Sequence, residues 1–200
     1  IKFLLISFCK RLIRFLVLCK LTVKLLKMDL SETIRPKHLV EDIVIIDGQP
    51  GCGKTLFSTL CSFLKRMEVL QFSPHIENLC ALLDLGKMPS DACKTMIEIE
   101  LDLLIYESMM TRNTNFRYSD LSSVFKNRQL TKYLKRLFIK GDEHVPERIK
   151  SENPILNLTT HNLLGYSKPI FESFPSKLKF IEIVRHPLYQ LIQMSLNYET

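Results

Sequence analysis

Eight consecutive residues carry the clearest chemistry in this chain. Gly48-Gln49-Pro50-Gly51-Cys52-Gly53-Lys54-Thr55 fits G-x-x-x-x-G-K-[ST], the pattern of a phosphate-binding loop. Each residue type has a physical job. Glycines let the backbone curl so that successive N–H groups point inward at an anion. A helix that opens near Lys54 adds the positive end of its dipole. Lys54 brings a mobile positive charge to phosphate oxygens, and Thr55 brings a hydroxyl for phosphate or for a magnesium ion. With glycine at about 7% of residues, chance alone would produce the pattern on the order of once in a hundred chains of this length. Gly48, Gly51, Cys52, Gly53, Lys54 and Thr55 are therefore the expected phosphate contacts, with Lys54 also able to act in catalysis.

A loop of this kind needs a strand before it and a helix after it. Ile43-Val44-Ile45-Ile46 is a short, continuous β-branched run, as expected of a buried parallel strand. An apolar helix from about Leu56 to Lys65 follows. Further strands are expected at Val69–Phe72, Ile155–Thr159 and Phe180–Val184. Residues 91–111 read as a helix with Ile97, Leu101, Leu104, Ile105 and Met109 on one face. Leu103–Glu107 imitates an acid-ended strand, but its apolar spacing continues that helical face. Residues 119–139 read as another helix, with Leu121, Val124, Leu130, Leu134 and Leu137 suggesting its apolar face. Lys126, Arg128, Lys132, Lys135, Arg136 and Lys140 give it a basic side, either a solvated face or a groove for an anionic acceptor. Pro187 opens a last helix, where proline is tolerated. The expected fold is α/β: a three-layer P-loop fold with a mostly parallel central sheet flanked by helices.

Composition sets outer limits. The chain has 200 residues, 46% of them apolar, enough for one domain with a sizeable core. The net charge of +7 resides in residues 1–27, which hold seven Lys and Arg and no acid. The remaining 21 Lys and Arg balance the 21 Asp and Glu, so the charge gives no ground for a nucleic-acid partner. On a helix the seven bases of 1–27 fall on one side, opposite Leu4, Phe8, Leu12 and Phe15. That segment reads as a basic amphipathic helix for a membrane surface, as a poor signal anchor, or as translated sequence upstream of a start at Met28. The domain is then 28–200, cytoplasmic or membrane-associated, with an incomplete C-terminus. None of the six cysteines is spaced for zinc, and reduced thiols are the expectation.

The second anion contact looks basic. The strand at 180–184 runs into Arg185-His186-Pro187, and arginine grips phosphate or sulfate with a planar, bidentate fork. The run Phe180-Ile181-Glu182-Ile183-Val184-Arg185-His186-Pro187 resembles the sulfotransferase family, in which a strand ends in Val-Arg-x-Pro. Thr159-Thr160-His161 resembles that family's strand-end Lys-Thr-His, and the loop at 48–55 stands where the family places its first donor loop. The resemblance covers residues 43–200. It implies that the loop holds the 5′-phosphosulfate of the sulfate donor PAPS, that Arg185 holds the 3′-phosphate, and that a hydroxyl or amine acceptor is sulfated. The departures are specific. Gly51 stands near the family's early loop lysine, and Thr160 replaces the strand-end lysine. Gln193 stands where a serine is common, with Ser195 two residues on as the substitute donor contact.

Sulfuryl transfer needs a base for the acceptor's proton and cations for the sulfate. His75 and Glu77 follow the second strand and are the expected base candidates; His161 is a third. Two rival functions remain open on these residues. One is a magnesium-dependent ATP or GTP kinase or NTPase, favoured by the intact Gly-Lys-Thr. The other is a non-catalytic nucleotide-binding or membrane-associated module.

Overall fold

A computed structural model describes Thr33, residues 37–141 and residues 144–198. The segment 1–27 lies outside the described residues, as do Cys9 and Cys19. The fold is α/β, built on a four-stranded, all-parallel sheet of order β2-β3-β1-β4: β1 is Asp42–Asp47, β2 Gln71–Phe72, β3 Ile155–Thr159 and β4 Leu178–Glu182. The chain leaves β1 toward β2 and leaves β3 toward β4, in opposite directions. A parallel sheet of this kind opens its ligand crevice at such a switch point, outside the carboxyl ends of the strands.

β1 is central, and its β-branched residues are buried on both faces. Ile43 and Ile45 join Leu156, Leu158 and Leu178 in the larger core, which is closed by α2 (Pro74–Asp84), α3 (Ser90–Ser108), α5 (His144–Glu152) and α6 (Lys168–Ser173). Val44 and Ile46 face the other way, into a smaller core with Met67 and Cys61. Cys61 ends α1 (Lys54–Cys61), the helix that follows the loop. Helices thus cover both faces, as the β-branched run leads one to expect.

Ile155–Thr159 and the β1 strand form where expected, and Ile97, Leu101, Leu104 and Ile105 on α3 and Met109 just past its end are all buried; α3 is helical through Leu103–Glu107. Other elements differ. Of the strand expected at Val69–Phe72 only Gln71–Phe72 pairs, because the Val69 N–H donates to the Tyr133 hydroxyl (3.0 Å) instead of a ladder carbonyl. The last strand is Leu178–Glu182 and not Phe180–Val184; Val184 is 82% exposed. The helix expected over 119–139 is broken into a 3-10 turn, Val124–Lys126, and α4 (Leu130–Arg136). Extended backbone at Ser123 and Asn127 interrupts it, and the Asn127 amide donates to the Ser62 hydroxyl at 3.0 Å. Leu121, Leu134 and Leu137 are consequently exposed and do not form an apolar face.

The basic side of that segment is also corrected. Arg136 is 1% exposed and forks onto the fully buried Glu68, with Nη1–Oε2 at 2.6 Å and Nη2–Oε1 at 3.0 Å. Lys132, Tyr133 and Ser108 donate to the same carboxylate at 3.0–3.1 Å. Burial pushes the Glu68 carboxyl upward, but the bonds and charges of Arg136 and Lys132 more than offset this and hold it below the usual range. The network joins the chain entering β2 to α3, α4 and, through Glu152, α5. Among the described residues no helix is long and apolar enough to cross a membrane.

Candidate functional site

Residues 48–55 lie in the crevice between the end of β1 and the start of α1. Three of the loop's glycines have positive φ: Gly48 at 146°, Gly51 at 84° and Gly53 at 101°. Gly48 is the most constrained. A Cβ there would stand 2.6 Å from the Ile183 carbonyl oxygen and 2.8 Å from Cys52 Sγ. Gly53 is the left-handed N-cap of α1, and its carbonyl accepts the Phe57 N–H at 3.1 Å.

Lys54 is buried, 4% exposed, and its ammonium donates to the Gly48 and Gln49 carbonyls at 3.0 and 3.3 Å. Burial lowers its pKa; the Cys52 thiol and the carboxylates of Asp47, Glu77 and Glu182 oppose that shift. Thr55 is exposed in the first turn of α1, and its carbonyl accepts the Thr59 hydroxyl at 2.8 Å. A polar latch fixes the helix to the sheet. Asn157 of β3 donates to the Ser58 carbonyl at 3.0 Å and accepts the Ser58 hydroxyl at 2.8 Å, and the Thr159 hydroxyl reaches Ser58 Oγ at 3.1 Å.

Arg185 comes to the same loop: its Nη1 donates to the Gly51 carbonyl at 3.0 Å. Gln190, on α7 (Pro187–Tyr198), donates to the Pro50 carbonyl at 2.6 Å. The segment after β4 therefore holds one side of the loop. Sequence reasoning missed Gln190, whose position one turn into the helix begun by Pro187 was its only signal. Ser195 is exposed further along α7, ten residues beyond Arg185. The structure shows no bond from it to the loop.

Two further acids stand at strand ends, and sequence reasoning missed both. Asp47 is fully buried as the last residue of β1 and accepts the Thr160 hydroxyl and the Leu164 N–H, both at 2.9 Å. Glu182 ends β4 opposite Asp47. Partial burial and the neighbouring Asp47 carboxylate push Glu182 above the usual carboxyl range, against the pull of Lys54. The β4 strand thus ends in an acid, and Arg185 follows three residues later.

The base candidates part company. Residues 74–84 form α2, with Pro74 in the first turn. Glu77 in that turn faces the site: its Oε1 accepts the His161 N–H at 2.7 Å and lies 3.4 Å from His161 Nδ1, and its charge reaches Lys54. His75 is exposed and lines a separate cavity beside β2. The His161 ring packs edge-on against Phe72 with centroids 5.1 Å apart. Lys54, Thr55, Arg185 and Glu77 are therefore brought to one end of the sheet, while His75 and Ser195 are not joined to them by any contact. Among the described residues no three His, Cys, Asp or Glu side chains are gathered as a metal cluster would need. Cys52, Cys61, Cys80 and Cys93 are free thiols.

No protein-family model matches this chain, and neither does any curated protein or any solved structure.

The chemical capacity of the site is that of an anion cradle. It combines a glycine-shaped turn, the free N–H groups of a helix N-terminus, a buried ammonium and an adjacent guanidinium.

Proposed function

We propose that the loop at 48–55 holds the phosphosulfate end of PAPS and that the protein transfers the sulfuryl group to a hydroxyl or amine acceptor. The observation that carries this reading is the meeting of Arg185 and the loop, with Nη1 3.0 Å from the Gly51 carbonyl. A second, planar cation on the loop that carries Lys54 suits a ligand with phosphate at both ends of a nucleoside. In such a transfer the acceptor's oxygen or nitrogen bonds to sulfur as the sulfur's bond to the 5′-phosphate breaks, and the acceptor's proton passes to a base while PAP leaves. Lys54, Thr55 and the backbone of 51–53 would bind the 5′ end, and Arg185 the 3′-phosphate. Glu77 is the base the geometry favours, since it faces Lys54 and His161, whereas His75 points to a separate cavity.

A second reading has its own support. Lys54 occupies the lysine position of an ordinary ATP or GTP loop, and Glu182 places an acid at the neighbouring strand end. That pairing suits a magnesium-dependent kinase or NTPase.

Arg185→Ala tests the first reading. The side chain is exposed and makes one loop bond, so the fold should survive. Loss of a charge-assisted contact of about 1.5–3 kcal/mol should weaken PAP binding roughly ten- to a hundredfold. ATP should be much less affected. Equal PAP affinity in variant and parent would remove Arg185 from the donor site.

A further inference from the structure

A cavity of about 470 Å³ opens beside β2, on the far side of β3 from β1, and neither the loop nor Arg185 lines it. Two strand spacings, about 10 Å, separate the end of β2 from the end of β1. A continuous path of contacts runs between the two places. Glu77, in electrostatic reach of Lys54, bonds His161; the His161 ring packs on Phe72; and Phe72 lines the cavity.

Three features of the wall define a ligand. The first is charge. Glu100 and Glu107 line the cavity, and no Lys or Arg does. Each carboxylate accepts a neutral donor, the Ser73 hydroxyl at 2.6 Å for Glu100 and the Asn113 amide for Glu107. Neither forms an ion pair among the described residues. The second is spacing. Glu100, Leu103, Leu104 and Glu107 follow the i, i+3, i+4, i+7 pattern on α3, so they form one stripe. Seven residues at about 1.5 Å each set the two acids roughly 10 Å apart along the axis, with leucines between them. The third is an unused donor. Gln71 is 3% exposed, lines the cavity, and its Nε2 has no hydrogen-bond partner among the described residues. A buried amide donor without a partner costs on the order of 1–3 kcal/mol, and a ligand oxygen would recover it.

We infer that this cavity binds a hydroxyl-bearing aliphatic amine: its ammonium on the Glu100/Glu107 stripe, its methylenes on Leu103 and Leu104, and its oxygen accepting from Gln71. An anionic acceptor is disfavoured by the same two carboxylates. Naming this amine as the acceptor rests on the sulfuryl-transfer reading; the chemistry of the cavity does not.

The test compares three ligands on the full chain by ligand-observed NMR titration: 6-amino-1-hexanol, 1,6-hexanediol and hexylamine. The amino alcohol should bind at least about tenfold more tightly than the diol, since a hydrogen bond to a charged group carries about 1.5–3 kcal/mol. It should bind severalfold more tightly than hexylamine. The double variant Glu100→Gln/Glu107→Gln should lose the preference over the diol, and Gln71→Met should lose the preference over hexylamine. The three-ligand comparison on the parent chain needs no variant to fold. Equal binding of the amino alcohol and the diol overturns the inference, and so does a preference that the double variant keeps. PAP is titrated in parallel. PAP binding without amino-alcohol preference sinks the cavity assignment alone. Amino-alcohol preference without PAP binding supports the cavity and sinks the donor reading instead.

Discussion

Replacing Glu68 by Gln should be among the most damaging single changes in the molecule, although Glu68 lies outside the proposed site. The substitution keeps the shape and removes the charge. It leaves the Arg136 guanidinium, 1% exposed, with Glu152 as its remaining carboxylate partner, 3.0 Å away. Removing one charge of a buried ion pair costs about 3–5 kcal/mol. At roughly 2–4 °C per kcal/mol for a chain of this size, Tm should fall by about 6–20 °C. Glu152→Gln is the internal control, because that side chain is 34% exposed and its loss should cost only about 1 kcal/mol. The pH dependence has a definite sign. The folded state holds Glu68 below the usual carboxyl range, so its contribution is complete above the ordinary glutamate pKa, about 4.3, and is lost as pH falls through the depressed value. The gap between parent and E68Q should therefore be widest near neutrality and close in acid. Urea melts from pH 7 down to pH 3 read both quantities. A neutral-pH difference below about 1 kcal/mol, or a gap that widens in acid, would refute the claim that this buried pair fastens the chain entering β2 to α3 and α4.

Gly48→Ala should abolish PAP binding in calorimetry and lower Tm, because the added Cβ meets the Ile183 carbonyl at 2.6 Å in a backbone conformation with φ of 146°; unchanged binding would mean that the loop does not hold the ligand. Burial pushes the Cys80 thiol up to about 12, so iodoacetamide at pH 8 should label it only after unfolding, as mass spectrometry can show.

The parts of the fold legible in the sequence are those set by local patterning. Ile43–Ile46 shows an uninterrupted β-branched run because both faces of β1 are covered, and the loop motif shows its glycines because three backbone angles need them. α2 carries a local signal as well: Pro74 stands in its first turn, and Ile76, Leu79, Cys80 and Leu83 repeat at helical spacing. What was hidden depends on distant residues. Glu68 and Arg136 stand 68 positions apart, so in the sequence Arg136 is one base among several on the basic side of 119–139. Gln190 reaches Pro50 across 140 positions. β4 slipped by two residues because an edge strand carries a half-exposed pattern, Leu178 in and Lys179 out, that the apolar run after it outweighs. Glu77 and His75 are two residues apart and equally placed after the second strand in the sequence; on a helix that spacing sends them in different directions.

The most direct measurement is calorimetric titration of the full chain with PAP and with ATP, each with and without magnesium. PAP should bind without magnesium and more tightly than ATP. Tight magnesium-dependent ATP binding with none for PAP would overturn the sulfuryl-transfer reading and favour the one built on Lys54 and Glu182.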